Sequence, residues 1–265
     1  TTFNNDAWEG RLELPHVAVG VITGMIGVQV ARSYFAAVGE EVVTPPSLTQ
    51  SGAIFALEEL KFGAHTTLQA GARLEAQQIK LGDVDPALPR PPGYAARSGQ
   101  SKKLGGASVS LGVVVYPVKD WSIGASLASS ERLPTAQELF ANGPHGGTGA
   151  YEVGTSGLGP ERSLGFDVSV RRRAGFVTGS VGAFVNRFRN YIFEQELPAT
   201  AITAARNPDG LTPYRFVAAD TRFVGGEAEF TFHLVETAHG RLHLELSADA
   251  VRAQQTRRYE PLPRI

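Results

Sequence analysis

The sequence predicts an all-β protein: an antiparallel up-and-down transmembrane β-barrel, here a partial barrel of about ten strands. Three observations carry this prediction. Apolar and polar residues alternate with period two over long runs, whereas a helix repeats every 3.6 residues. The runs mostly cover 10–20 residues, against about 5–6 for an ordinary soluble strand. The links between runs alternate short and long, so an up-and-down sheet gathers its turns at one end and its loops at the other.

The runs are Ala7–Leu14, Thr23–Phe35, Ala53–Phe62, Thr66–Leu81, Lys102–Pro117, Trp121–Arg132, Glu161–Arg173, Phe176–Phe193, Tyr214–Leu234 and Arg241–Gln254. In the first, Trp8, Gly10, Leu12 and Leu14 oppose Glu9, Arg11 and Glu13. The next link, PHVAVG, reads as short. In the fourth, Leu68, Ala70, Ala72 and Leu74 oppose Gln69, Gly71, Arg73 and Glu75. The last pair is the clearest, with Phe230, Phe232 and Leu234 against Glu229, Thr231 and His233, followed by Leu242, Leu244 and Leu246 against Arg241, His243 and Glu245. Long irregular links separate these runs, including GDVDPALPRPPGYAARSGQ and EQELPATAITAARNPDGLTP, rich in Pro and Gly. The polar face has two readings: bulk water around a soluble sandwich, or the lumen of a membrane barrel whose apolar face meets lipid. Strand length favours the barrel, since about 9–11 tilted residues already cross the hydrocarbon.

Composition narrows the function classes. A formal net charge of −1 over 265 residues gives no reason to expect a nucleic-acid partner. The absence of cysteine excludes a disulfide scaffold and thiolate metal sites. No window approaches the roughly 20 apolar residues of a spanning helix, which is silent about strands. There is no Ser–His–Asp arrangement with a nucleophile elbow, no phosphate loop and no metalloprotease helix, so no enzyme is expected.

The segment Ser126–Glu161 organises the chain as one long loop between two strands. Pro134, Pro144, Pro160 and many glycines prevent a helix or strand from running far there. Loops this long in a β-protein are functional or disordered. His145 sits mid-loop with Glu138 and Glu152 near it in sequence, a combination of imidazole and carboxylate that suits zinc, while a lone axial histidine suits haem iron. The plain alternative is a loop histidine bonded to backbone. His233, His239 and His243 flank a short link and read as polar lumen lining; Arg171–Arg173 and Arg257-Arg258 read as solvated or lumen-facing charge.

The same loop carries a family pattern. Ser130-Glu131-Arg132-Leu133-Pro134, Glu138-Leu139-Phe140-Ala141-Asn142-Gly143-Pro144-His145, Tyr151-Glu152-Val153-Gly154, Leu158 and Glu161-Arg162-Ser163 together resemble the barrel of TonB-dependent outer-membrane receptors. Weaker matches are Gly27-Val28-Gln29, Gly39-Glu40-Glu41 with Pro45-Pro46, Gln69–Arg73, Asn186–Phe193 and Leu262–Ile265. The Asn142–His145 loop is similar to those of the zinc, haem and siderophore branch. The resemblance implies an outer-membrane receptor that binds a scarce nutrient (zinc, haem or a ferric chelate) at extracellular loops, without a required cofactor. It implies import energised by the TonB–ExbB–ExbD complex, with outer-membrane lipid and lipopolysaccharide as surroundings. It makes His145, Glu138, Glu152 and Tyr151 the ligand-binding candidates, His145 the metal candidate, and Arg132, Pro134 and Glu161 anchors of the loop. Against that family, residues 1–265 read as a partial barrel, with plug domain, coupling box and final strands expected elsewhere. A passive porin, or a soluble or secreted sandwich or adhesin domain, are the alternatives.

Overall fold

The structure, a computed structural model, describes residues 1–39, 42–82, 99–237, 239–257 and 260–262. Ten long strands form one antiparallel meander: β1 (Thr2–Val19), β2 (Ile22–Val38), β3 (Ser47–Phe62), β4 (Thr66–Leu81), β5 (Ser101–Val115), β6 (Trp121–Arg132), β9 (Glu161–Arg172), β10 (Val177–Glu196), β11 (Thr212–Thr237) and β12 (Gly240–Gln255). The β6–β9 connection itself contains helix α1 (Ala136–Phe140) and a small hairpin, β7 (Asn142–His145) and β8 (Ala150–Val153). The expected ten strands are therefore present, and the organising loop adds two very short ones. The long irregular link after β4 falls mostly on residues 83–98, outside the described residues, as do Glu40, Glu41, Arg258 and the closing 263–265.

The structure departs from the sequence reading at several points: β1 already begins at Thr2 and β3 at Ser47, within stretches read as lying outside the strands. Pro15 and His16, expected in a link, lie within β1 and pair with Met25 and Gly24. Proline is tolerated there because, among the described residues, β1 pairs with β2 alone, leaving one side of its backbone without ladder bonds. A further departure is a parallel pairing: β8 lies beside Thr212–Arg215 at the start of β11, beyond the stretch that β12 covers.

Alternation sorts the side chains onto two faces. In register across the sheet run Leu12, Val28, Ile54 and Leu74, and farther along Leu111, Leu127, Phe166, Val185 and Val224. All but Val185 are exposed large hydrophobics, with Leu111 63% exposed. The opposite face is a polar ladder: Gln29 donates to Glu9 (2.9 Å), and Arg73 donates to Gln29 (2.8 Å) and Glu75 (3.0 Å). Apolar outside and polar inside is the inverse of a soluble sandwich and matches a lipid-embedded wall.

The apolar band has membrane dimensions. On β9, Leu164, Phe166, Val168 and Val170 face outward between Arg162 and Arg172. Ten residues at about 3.4 Å rise, tilted about 45°, give a height of roughly 24 Å. At the lower boundary Trp121 pairs with Arg172 in register, and the guanidinium lies 5.6 Å from the indole centroid.

Two glycines on the inner face are there to make room. Phe55 lies over Gly27, its cross-strand partner, and Phe184 lies over Gly225. A Cβ at Gly225 would come within 2.6 Å of the Ala250 carbonyl oxygen and 2.7 Å of Phe184 Cζ. Covering a strand glycine with a neighbouring ring protects its backbone and restores packing. Arg11 completes the first stack, 4.4 Å above the Phe55 ring.

The short turns sit at one end of the sheet, and the strand ends that lead into the long connections after Val38, Leu81, Arg132 and Glu196 at the other. The long-link end also holds the buried core. The sheet is curled, because this core bridges strands far apart in the order. Asn142 N donates to Val43 O in the β2–β3 link (2.8 Å), while Thr155 Oγ1 donates to Phe216 O on β11 (2.7 Å). Those two points are tied closely together, since Gly154 N donates to Ala141 O (2.7 Å). In a flat sheet the six strand steps from β3 to β11 would hold them about 29 Å apart.

Candidate functional site

The site is built on the connection between β6 and β9, which folds inward over the polar face. Its first device is local. Thr135 caps α1: Glu138 N donates to Thr135 Oγ1 (3.2 Å), and Thr135 N donates back to Glu138 Oε2 (2.8 Å). This reciprocal cap explains how so short a helix forms at all. Its apolar residues, Leu139 and Phe140, are buried against Ile79, Leu81, Leu158 and Ile192. The helix is thus a plug of side chains pressed onto β4 and β10.

Arg132, the last residue of β6, fastens this helix to the wall. Its guanidinium grips Glu138 through two bonds (Nη1–Oε2 3.0 Å and Nη2–Oε1 2.9 Å) and reaches Glu161 on β9 (Nη2–Oε2 3.0 Å). Glu161 Oε2 also accepts Ile192 N of β10 (2.9 Å). One planar fork therefore joins three strands and the helix, which a point-charge ammonium cannot do. Pro134 is fully buried and its carbonyl accepts Gln77 Nε2 (3.0 Å). Arg132, Pro134 and Glu161 thus lie together at the foot of this connection.

The hairpin that follows holds the other candidates. His145 Nδ1 lies 2.5 Å from Glu152 Oε1, and Thr148 Oγ1 donates to the same oxygen (3.0 Å). Gln137 Nε2 donates to Glu152 Oε2 (2.6 Å), so this buried carboxylate is fully engaged. Because carboxylate oxygens accept, Nδ1 carries a proton, and in the neutral ring this leaves the lone pair on Nε2. His145 is about 29% exposed at its side chain, Glu152 about 1%. Beyond the apolar band on β10, Glu194 is held above the usual carboxylate range by burial first and then by the charge of Glu152, with His145 easing it.

The candidate set therefore divides. His145 and Glu152 come together; Glu138 is drawn instead to Arg132. Tyr151 is buried with Val153, Ile202 and Leu211, its hydroxyl donating to Asn142 O (3.3 Å), so it is packed inside the layer. Among the described residues no group of three or more His, Asp or Glu side chains is placed to hold a metal ion.

The whole chain matches one protein family. A family model described as "TonB dependent receptor-like, beta-barrel" matches residues 2–262. The chain belongs to the TonB-dependent receptor family. It is accordingly a barrel segment of the Gram-negative outer membrane, in a family of receptors and transporters. Solved structures share the fold. A copper transporter, OprC, superposes with a TM-score of 0.75 at 14% identity, over 98% of this chain and 39% of that one. The FrpB iron transporter from Neisseria meningitidis (F3-3 variant) gives 0.65 at 13%, over 98% and 37%. The Serratia marcescens hemophore receptor HasR, as a double mutant with its hemophore HasA and heme, gives 0.60 at 15%, over 96% and 42%. The chain thus spans about two-fifths of the length of these TonB-dependent neighbours.

Several residues that organise this receptor layer escaped sequence reasoning. Arg206, in the β10–β11 link, bonds Asn142 Oδ1 and lies 3.4 Å from the Tyr151 hydroxyl, locking that link to the hairpin. Lys102 Nζ donates to Ser156 O (2.9 Å) from β5. The Thr135–Glu138 spacing is a capping-box signature that the sequence reading passed over; the rest are long-range pairings with no local signal. At the opposite end His233 and His243 face each other, Nδ1 to Nδ1 at 2.9 Å, with Thr178 Oγ1 2.9 Å from His233 Nε2. Of the charge runs, Arg172 stacks on Trp121 as described, and the Arg173 guanidinium lies 5.5 Å from the Tyr116 ring centroid.

Proposed function

We propose that this chain forms part of the wall and one ligand-facing loop layer of a nutrient-import receptor. The intact protein binds a chelated metal or haem at its outer face. It imports that cargo with energy delivered by the TonB–ExbB–ExbD complex, through a plug encoded with the remaining part of the barrel. The observation that supports this reading best is the His145–Glu152 pair on an inward-folded, firmly anchored loop. A carboxylate on Nδ1 orients the ring and raises the basicity of Nε2, the arrangement found behind metal-ligating histidines. A single such nitrogen suits an axial contact to haem iron or to a metal already carried by a chelator. Bare zinc needs three or four protein ligands, which favours the chelated cargo.

The test is uptake by the full-length product of the reading frame that encodes this chain. Cells dependent on it for haem, for zinc or for a ferric chelate are compared with and without a functional TonB system. Growth on haem or a ferric chelate that collapses without TonB is the expected result, and His145→Ala is expected to weaken binding of that cargo about tenfold or more. Uptake that persists without TonB identifies a passive porin and ends this reading.

A further inference from the structure

The outward face carries a charge pattern that nothing in nutrient import requires. Arg187 on β10 stands directly opposite Arg222 on β11, and Arg189 stands directly opposite Arg162 on β9. All four are exposed, and they lie on the same outward register as Leu164, Val185 and Val224. Like charges placed opposite each other across a sheet destabilise it. Arg162 is answered by Glu131 (2.6 Å), but among the described residues no carboxylate lies within ion-pairing distance of Arg187, Arg189 or Arg222. Among the described residues Arg252, opposite Val224 on β12, is a fourth exposed cation with no carboxylate within ion-pairing distance, one step lower.

Position says what answers them. These arginines begin where the apolar band ends, at the long-loop side, which in an outer-membrane barrel faces the cell exterior. Their level is therefore that of the outer-leaflet headgroups. At the opposite boundary the cations behave differently: Arg172 and Arg173 rest on the rings of Trp121 and Tyr116. Among the described residues no aromatic ring lies under Arg187, Arg189 or Arg222, and guanidinium forks match phosphate oxygens in pairs.

We infer that Arg187, Arg189 and Arg222 form a seat for the phosphates of an outer-leaflet glycolipid, of the lipid A type. The bound polyanion converts two repulsive cross-strand pairs into a bridged cluster and staples β9, β10 and β11 at the rim. This inference rests on the outer-membrane placement of the barrel and is independent of which cargo is imported.

The experiment uses the full-length product of the reading frame, purified in a neutral detergent and stripped of lipid. Bisphosphorylated lipid A, the same lipid A with its phosphates removed, and phosphatidylglycerol are titrated separately, with retained lipid counted by native mass spectrometry. The bisphosphorylated form is expected to bind best, and the double substitution R187Q/R222Q to weaken it about thirtyfold. Arg187→Lys keeps the charge and should lose far less. Without lipid, R187Q/R222Q should melt at or above the wild-type temperature, since the repulsion has been relieved. Equal retention of the three lipids, equal retention by wild type and double variant, or a lower melting temperature of the lipid-free variant would each overturn the proposal.

Discussion

At the scale of single residues, Arg132 is the position where chemistry and architecture meet. Its fork satisfies Glu138 and Glu161 at once, and both carboxylates are largely shielded, with side-chain exposures of 13% and 9%. Arg132→Lys keeps the charge but cannot serve both carboxylates in the same geometry. We expect a loss of about 1–3 kcal/mol, read as earlier denaturant unfolding of the full-length barrel in detergent. If Arg132→Lys is neutral, charge alone holds the loop and the fork geometry is incidental. Gly225 tests a different kind of constraint. Gly225→Val drives a branched side chain into the Phe184 ring and should cost about 1–3 kcal/mol. Combining it with Phe184→Ala should recover part of that loss, because the two positions share one space. Strict additivity of the two substitutions would mean that the ring does not sit where it is described.

At the scale of elements, the β6–β9 connection behaves as a small folded layer held by its apolar contacts. Leu139 is fully buried between β4 and β10, so Leu139→Ala should cost about 2–4 kcal/mol locally. The expected consequence is selective: protease cuts within 133–160 should appear while the long strands stay intact. Simultaneous loss of the strands would show that loop and wall unfold as one unit. The strands themselves were legible in the sequence because period-two alternation is a local property, repeated in every run from Ala7 to Gln254. The contents of the connection were not. Alternation carries no information about Asn142 bonding Val43, or about β8 pairing with Thr212–Arg215, since those partners are distant in sequence. Pro15 misled the reading of β1 for a related reason. Whether proline is tolerated depends on which strand is an edge, and that is decided only by the assembled sheet.

At the scale of the whole molecule, the governing fact is that, among the described residues, the ladder of β1 runs along β2 alone and that of β12 along β11 alone. Each therefore presents a row of backbone donors and acceptors on one side. In lipid such rows have no water to bond, and in buffer they template association with other chains. The outward apolar rows compound this, because Leu12, Leu111 and Leu242 are each more than half exposed. Residues 1–265 expressed alone are thus expected to aggregate in buffer. In detergent they should fail to give the compact, protease-resistant species that a closed barrel shows before boiling on a gel. The full-length product is expected to give that species under the same conditions. A heat-modifiable, protease-resistant form of 1–265 alone would mean that β1 and β12 can meet and close a ten-stranded barrel. Such a barrel would enclose a far narrower lumen, and the inward-folded connection between β6 and β9 would then fill it. The same gel therefore separates a transport wall from a small self-contained barrel.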